Sequence, residues 1–181
     1  SLVVNAGSGI DVIRLNTLDA GWDANITING DGASDQVNVI SAISAGPART
    51  IAITSENIDG SGGIDADLIA GTIDLNAANG LGASSVLGIN AALISADASN
   101  GNININSLAT SAVEFTTLST GNGSIQVNQT GNQLLTLTDV DTTDANVTIT
   151  NTGGLAADIL VGDITTNTIN DVVLLTSSGS I

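Results

Sequence analysis

A four-residue phrase, aliphatic-x-aliphatic-polar, returns eight times along the chain and leaves few folds open. It reads Leu2-Val3-Val4-Asn5, Ile26-Thr27-Ile28-Asn29, Ile51-Ala52-Ile53-Thr54, Ile73-Asp74-Leu75-Asn76, Ile103-Asn104-Ile105-Asn106, Ile125-Gln126-Val127-Asn128, Val147-Thr148-Ile149-Thr150 and Val173-Leu174-Leu175-Thr176. Both aliphatic positions are always Val, Ile or Leu, while the residue between them varies freely. That is period-two alternation, the mark of short strands with one buried face. The polar members recur at intervals of roughly 22–30 positions, a period in the range of stacked-repeat proteins.

A second apolar pattern keeps step with the first. It comprises Ile13, Leu15 and Leu18; Val37, Val39 and Ile43; Val113, Phe115 and Leu118; Leu135, Leu137 and Val140; and Ile159, Val161 and Ile164. Turn chemistry separates the strands, as in Asn5-Ala6-Gly7-Ser8-Gly9, Asn29-Gly30-Asp31-Gly32, Gly60-Ser61-Gly62-Gly63 and Gly121-Asn122-Gly123-Ser124. No window sustains a helical apolar stripe, and 21 glycines interrupt any that begins. An antiparallel sandwich accommodates short strands but does not require Asn or Thr to return in a kept register. A coil stacked on itself does.

The expected fold is therefore all-β, a parallel β-solenoid (β-helix) of about seven coils, each of roughly 22–30 residues. Residues 1–181 form a single repeat domain, read as a segment of a longer fibre. In this reading Ile28, Ile53, Leu75, Ile105, Val127 and Ile149 form one buried stack, beside a hydrogen-bonding ladder of Asn and Thr. The interval from Asn76 to Asn106 is the longest, and it leaves room for a bulged loop or extra strand within 80–98.

Composition then narrows function. The 18 acids face only Arg14 and Arg49, a net charge of −16, so no surface can neutralise phosphates, and nucleic acid is not expected as a partner. The longest uncharged stretch is too polar to span a bilayer, so no membrane insertion is expected. Lys, His, Cys, Met and Tyr are absent, which removes nucleophilic triads and thiol chemistry, and the aromatics are only Trp22 and Phe115. Sixteen of the acids are Asp, a turn former. The opening at Ser1 and the lack of any visible leader suggest a mature product or a piece of something longer.

Three stretches carry a resemblance: Ile73-Asp74-Leu75-Asn76-Ala77-Ala78-Asn79-Gly80-Leu81-Gly82; Ser99-Asn100-Gly101-Asn102-Ile103-Asn104-Ile105; and Val172-Val173-Leu174-Leu175-Thr176-Ser177-Ser178-Gly179-Ser180-Ile181. With their surroundings they resemble the repeat regions of giant bacterial surface proteins of the filamentous-haemagglutinin and β-helical adhesin type. The resemblance implies a secreted structural stalk or filament segment, at the cell surface or in a matrix, and transfers no catalytic residue. Because Leu2-Val3-Val4-Asn5 opens directly in the repeat and Gly179-Ser180-Ile181 stops where a new strand would begin, with no cap at either end, the expected partners are further coils of a longer chain or identical units end to end, with host surfaces or polysaccharide as contacts.

Two coils also carry a phrase similar to the glycine-aspartate calcium nonapeptide: Gly7-Ser8-Gly9-Ile10-Asp11-Val12-Ile13 and, more loosely, Gly32-Ala33-Ser34-Asp35-Gln36-Val37. Asp11 and Asp35 are separated by the same step as Asn5 and Asn29, and so should stack. Two carboxylates about 4.8 Å apart repel by roughly 0.9 kcal/mol in water, a cost a bridging calcium would reverse. Solvated turn carboxylates are the plainer reading. A calcium-stiffened RTX-like adhesin module is accordingly the alternative function. A carbohydrate-active β-helix enzyme is more remote: Asp65 with Asp67, or Asp139 with Asp141, would supply carboxylate pairs, but no cation or ring accompanies them. The expectation is that the chain is not an enzyme. Thr136-Leu137-Thr138 and Thr148-Ile149-Thr150 are too isolated for an ice-binding array, and the Asn-x-Ser/Thr sites at Asn25, Asn122, Asn128 and Asn146 are what chance provides in such a composition.

Overall fold

A computed structural model describes residues 1–31, 34–167 and 171–181. The turn phrases containing Gly32 and Ala33 thus fall partly outside the described residues. All regular structure among those residues is β, in fifteen strands of one sheet whose pairings are all parallel. The chain winds as a β-solenoid, as the repeat predicts.

One side of the coil is built by β1 (Leu2–Asn5), β3 (Ile26–Asn29), the middle of β5 (Ile43–Asp59), β6 (Leu68–Leu81), β8 (Leu93–Ala98), β10 (Val113–Thr120), β12 (Leu135–Thr142) and β14 (Ile159–Thr166). Following partners down this side gives Leu2, Ile26, Ile51, Ile73, Ile94, Phe115, Leu137 and Val161, hence eight coils where the sequence suggested about seven. The steps between these partners are nearly equal, so the long repeat inferred between Asn76 and Asn106 does not exist. At the ordinary strand spacing the stack is on the order of 35 Å long.

A second side begins with β2 (Val12–Leu15) and β4 (Gln36–Val39), runs through the ends of β5 and β6, and continues as β9 (Ile103–Ser107), β11 (Ile125–Gln129), β13 (Val147–Asn151) and β15 (Val173–Ser177). β7 (Leu87–Asn90) belongs to a short third side, with the starts of β5 and β6. It pairs with β9 through Leu87↔Ile105 and Ile89↔Ser107. From β9 onward, therefore, a single strand covers what two short strands covered above it.

This arrangement corrects the single stack expected from the sequence. Ile28, Ile53, Leu75, Ile105, Val127 and Ile149 are all fully buried, but in two columns. Leu75 is followed by Ala96, Leu118, Val140 and Ile164, whereas Ile105 sits beneath Leu87 and above Val127. The true successor of Ile73-Asp74-Leu75-Asn76 is Ile94-Ser95-Ala96-Asp97, which the phrase misses because Ala fills its second apolar position. The second apolar pattern divides at the same place. The strand expected within 80–98 is present, and it is the missing coil rather than an insertion.

The core is aliphatic and layered, with Phe115 as its one buried ring among the described residues. Two corners are polar inside. At one, the Thr120 hydroxyl donates to the Gly101 carbonyl at 2.7 Å and accepts from the Gly123 N–H at 3.2 Å, and Thr142 repeats the donation to Gly123 at 3.3 Å. At the other, Ser107, Gln129, Asn151 and Ser177 stack. Asn151 Nδ2 donates to the carbonyls of Gln133 and Asp158, both at 2.8 Å, so the side chain ties two adjacent coils together beside the Leu135 N–H, which donates to the same Asp158 carbonyl at 2.9 Å.

Candidate functional site

The outward ladder exists in two pieces. Asn29 Nδ2 donates to Asn5 Oδ1 at 2.7 Å, and Asn128 Nδ2 to Asn106 Oδ1 at 3.3 Å. Between them the register changes: Asn76 is followed by Asp97, then Ser119, Asp141 and Thr165. Asp74, Ser95, Thr117 and Asp139 occupy the parallel outward column, with Asp163 next to Asp139. The result is an outward face of short hydroxyls, amides and carboxylates repeating at the coil spacing, with Asp74, Asp97, Asp139, Asp141 and Asp163 spread over the last five coils and neither arginine among them.

Asp97 illustrates the electrostatics of that face. Partial burial raises its carboxyl above the ordinary value, because the charged form loses hydration there. It lines a shallow groove of about 370 Å³ together with Thr54, Glu56 and Asn76. At the N-terminal end the opposite holds for Asp23. Hydrogen bonding from Arg49 holds its carboxyl below the ordinary value, and Arg49 Nε lies 2.8 Å from Asp23 Oδ1.

Asp11 and Asp35 are brought together, as their spacing implies, though not as two free carboxylates. The Asp11 backbone N–H donates to Asp35 Oδ1 at 2.8 Å, and Asp35 is fully buried, with Oδ2 lacking a protein hydrogen-bond partner. A Cβ at position 30 would lie 3.0 Å from Asp35 Oδ2 and 3.3 Å from Ser55 Oγ, so any residue larger than Gly30 would crowd both. No group of three or more Asp and Glu among the described residues is arranged to hold a metal ion.

The same device recurs at two other buried aspartates that the sequence reading did not single out as staples. Asp59 Oδ1 accepts from the N–H groups of Ser84 at 2.9 Å and Ser85 at 3.3 Å. Asp67 accepts from Ser61 N–H at 3.0 Å and Gly88 N–H at 2.8 Å. Asn side chains do likewise: Asn25 Oδ1 accepts from Thr50 N–H at 3.1 Å and Asn146 Oδ1 from Val172 N–H at 2.8 Å. In most of these pairs, donor and acceptor lie one coil apart. The signal was present as Asp or Asn just ahead of a strand at Asn25, Asp35, Asp67 and Asn146, and at the end of β5 for Asp59, but only the coil register reveals the partner.

Of the two carboxylate pairs, Asp65 and Asp67 do not share a face: Asp65 is exposed in a bend and Asp67 is buried on backbone donors. Asp139 and Asp141 do lie together on the outward face, stacked against Asp163 and Thr165. No helix is long and apolar enough to cross a membrane among the described residues.

Neither a family model, nor a curated protein, nor a solved structure matches this chain.

Proposed function

We propose that the chain is a structural stalk or filament segment of an extracellular bacterial surface or matrix protein of the filamentous-haemagglutinin-like, β-helical adhesin type. The observation that carries this reading is axial uniformity. Eight coils repeat the same aliphatic columns at nearly constant steps along one side, so the rod lengthens by adding coils. Nearly all its Asp and Asn side chains that take backbone donors tie one coil or turn to the next. Its surface is short-chained, acidic and almost free of cations, suited to staying soluble and extended at high density. Immunogold labelling of the producing cells, with antibody raised against this chain, should decorate fibres outside the envelope. Label confined to the cell interior would overturn the proposal.

A second reading, a calcium-stiffened module, is favoured by the buried, unpartnered Oδ2 of Asp35 beside the Asp11 turn. Calcium at millimolar concentration would then raise the melting temperature of the wild type and leave Asp35→Asn unchanged. Equal response of both, or of neither, removes this reading.

A further inference from the structure

The dipeptide Asn-Gly occurs four times, as Asn29-Gly30, Asn79-Gly80, Asn100-Gly101 and Asn122-Gly123. In this dipeptide a side-chain amide and the next backbone nitrogen meet easily, because glycine has no Cβ to hold them apart. A glycine nitrogen that reaches the Asn Cγ closes a five-membered imide. In a folded chain the outcome depends on what already holds that N–H and on whether water reaches it.

Three of the four are tied down. Gly30 N–H donates to the Thr54 carbonyl at 2.8 Å, and Gly123 N–H donates to Thr120 Oγ at 3.2 Å. Gly80 lies inside β6 opposite Asn57, and the side-chain nitrogen of Asn79 donates to Glu56 Oε1. All three of these glycines are buried. Asn100-Gly101 differs on each count. It lies in the bend between β8 and β9, where Asn100 is exposed and Gly101 half-buried. The Gly101 carbonyl accepts from Thr120 Oγ at 2.7 Å, but its N–H has no hydrogen-bond partner among the described residues. Asn100 Oδ1 accepts from Asn122 Nδ2, one coil further on, at 3.4 Å, a donor placed where negative charge gathers as the Cγ carbonyl is attacked.

We propose that Asn100 is a site of spontaneous covalent modification, at which water converts asparagine to aspartate and isoaspartate while the chain stays folded. The Gly101 nitrogen bonds to Asn100 Cγ, the Cγ–Nδ2 bond breaks, and ammonia leaves with the proton of the Gly101 N–H. Water then opens the imide. Attack at Cγ restores the original backbone and leaves an aspartate. Attack at the former backbone carbonyl of Asn100 leaves Gly101 linked through Cγ, with one extra carbon in the main chain. Either product adds a negative charge at a corner on which Asn122 stacks. Isoaspartate also lengthens the connection from β8 to β9, where Gly101 is packed hard against the Asn79 carbonyl of the coil above. The modification accumulates with the age of the molecule and loosens that one corner.

Peptide mapping by mass spectrometry tests this, on the 181-residue chain incubated in heavy-oxygen water at mildly alkaline pH, both folded and in urea. In urea all four asparagines should be converted at similar rates, since the dipeptide alone governs them. In the folded chain Asn100 should be converted at least about tenfold faster than Asn29, Asn79 and Asn122, which must first open locally. Fragment spectra should show aspartate and isoaspartate at position 100, both carrying heavy oxygen. Thr120→Val, checked for folding by circular dichroism, frees the Gly123 N–H and should raise the rate at Asn122 towards that of Asn100. Hydrogen exchange supplies a readout that needs no variant: the Gly101 amide should exchange faster than those of Gly30 and Gly123. An Asn100 as slow as the other three in the folded chain overturns the proposal. So does a Gly101 amide as protected as that of Gly30, or an Asn122 converted as fast as Asn100 in the wild type. No rise at Asn122 in Thr120→Val overturns the part assigned to the glycine N–H.

Discussion

Replacing Gly101 by Ala probes coil stacking more sharply than any core truncation. A Cβ built at Gly101 falls on the carbonyl of Asn79 in the coil above, and the obstacle is backbone rather than a side chain that can swing aside. The two coils must part locally. Three hydrogen bonds cross or brace that spot: Leu81 N–H to Asn102 O at 2.9 Å, Asn100 N–H to Ala78 O at 3.0 Å, and Thr120 Oγ–H to Gly101 O at 2.7 Å. At about 1 kcal/mol net for each bond, the expected loss is about 3 kcal/mol. For a chain of this size that corresponds to a fall of about 6–12 °C in melting temperature. Gly7→Ala is the matched control. Gly7 has φ +84° and nothing within 4 Å of its added Cβ, so only backbone strain of about 1 kcal/mol applies. Urea titration followed by circular dichroism should give a Gly101→Ala loss about three times that of Gly7→Ala. Equal losses, or a neutral Gly101→Ala, would refute close backbone stacking at this corner.

Other consequences follow from burial and charge. Ile105→Asp places a carboxylate at a position with no solvent exposure, between Leu87 and Val127, and should cost several kcal/mol, about 3–5, in urea titration. Asp97→Asn should stabilise the chain at neutral pH. Because the folded carboxyl titrates above its ordinary value of 3.8, its favourable contribution is full below 3.8 and is lost as pH rises through the folded value. The variant's advantage in melting temperature should therefore vanish in acid. Asp23 is lowered, so its contribution with Arg49 holds above 3.8 and fades as pH falls through its folded value; Asp23→Asn should cost something at pH 7 and progressively less as the pH is taken below 3.8. Trp22 packs only partly on the core beside the first coil, so its fluorescence should report unfolding at lower urea than circular dichroism does.

The strands and their inward faces were legible because period-two alternation is written residue by residue: Ile103, Ile105, Ile125, Val127, Val147 and Ile149 all point inward as read. The coil count was not, because a phrase match cannot tell one side of a solenoid from another. Leu-x-Val-Asn at the start and Ile-x-Ile-Asn in the middle look like successive members of a column, yet they lie on different sides. Ala96 and Asp97 conceal the coil that intervenes. The buried carboxylates were half legible. Asp11 and Asp35 were paired correctly by spacing, but that Asp35 Oδ1 is committed to a backbone donor depends on the inward turn of its side chain at Gly30. The interior Gln129 and Asn151 gave no signal, since an isolated polar residue at a strand end reads as a turn residue until the corner it fills is known.

Engineered disulfides test the eight-coil register most directly, since the chain has no cysteine of its own. Adjacent coils bring stacked Cα atoms to about 4.8 Å, within the range a disulfide spans. Asn76→Cys with Asp97→Cys joins outward positions paired between β6 and β8, whereas Asn76→Cys with Asn106→Cys follows the repeated phrase across to another side. After mild oxidation of the folded chain, thiol titration and intact mass should show the first pair closed and the second open. The reverse pattern would contradict the account.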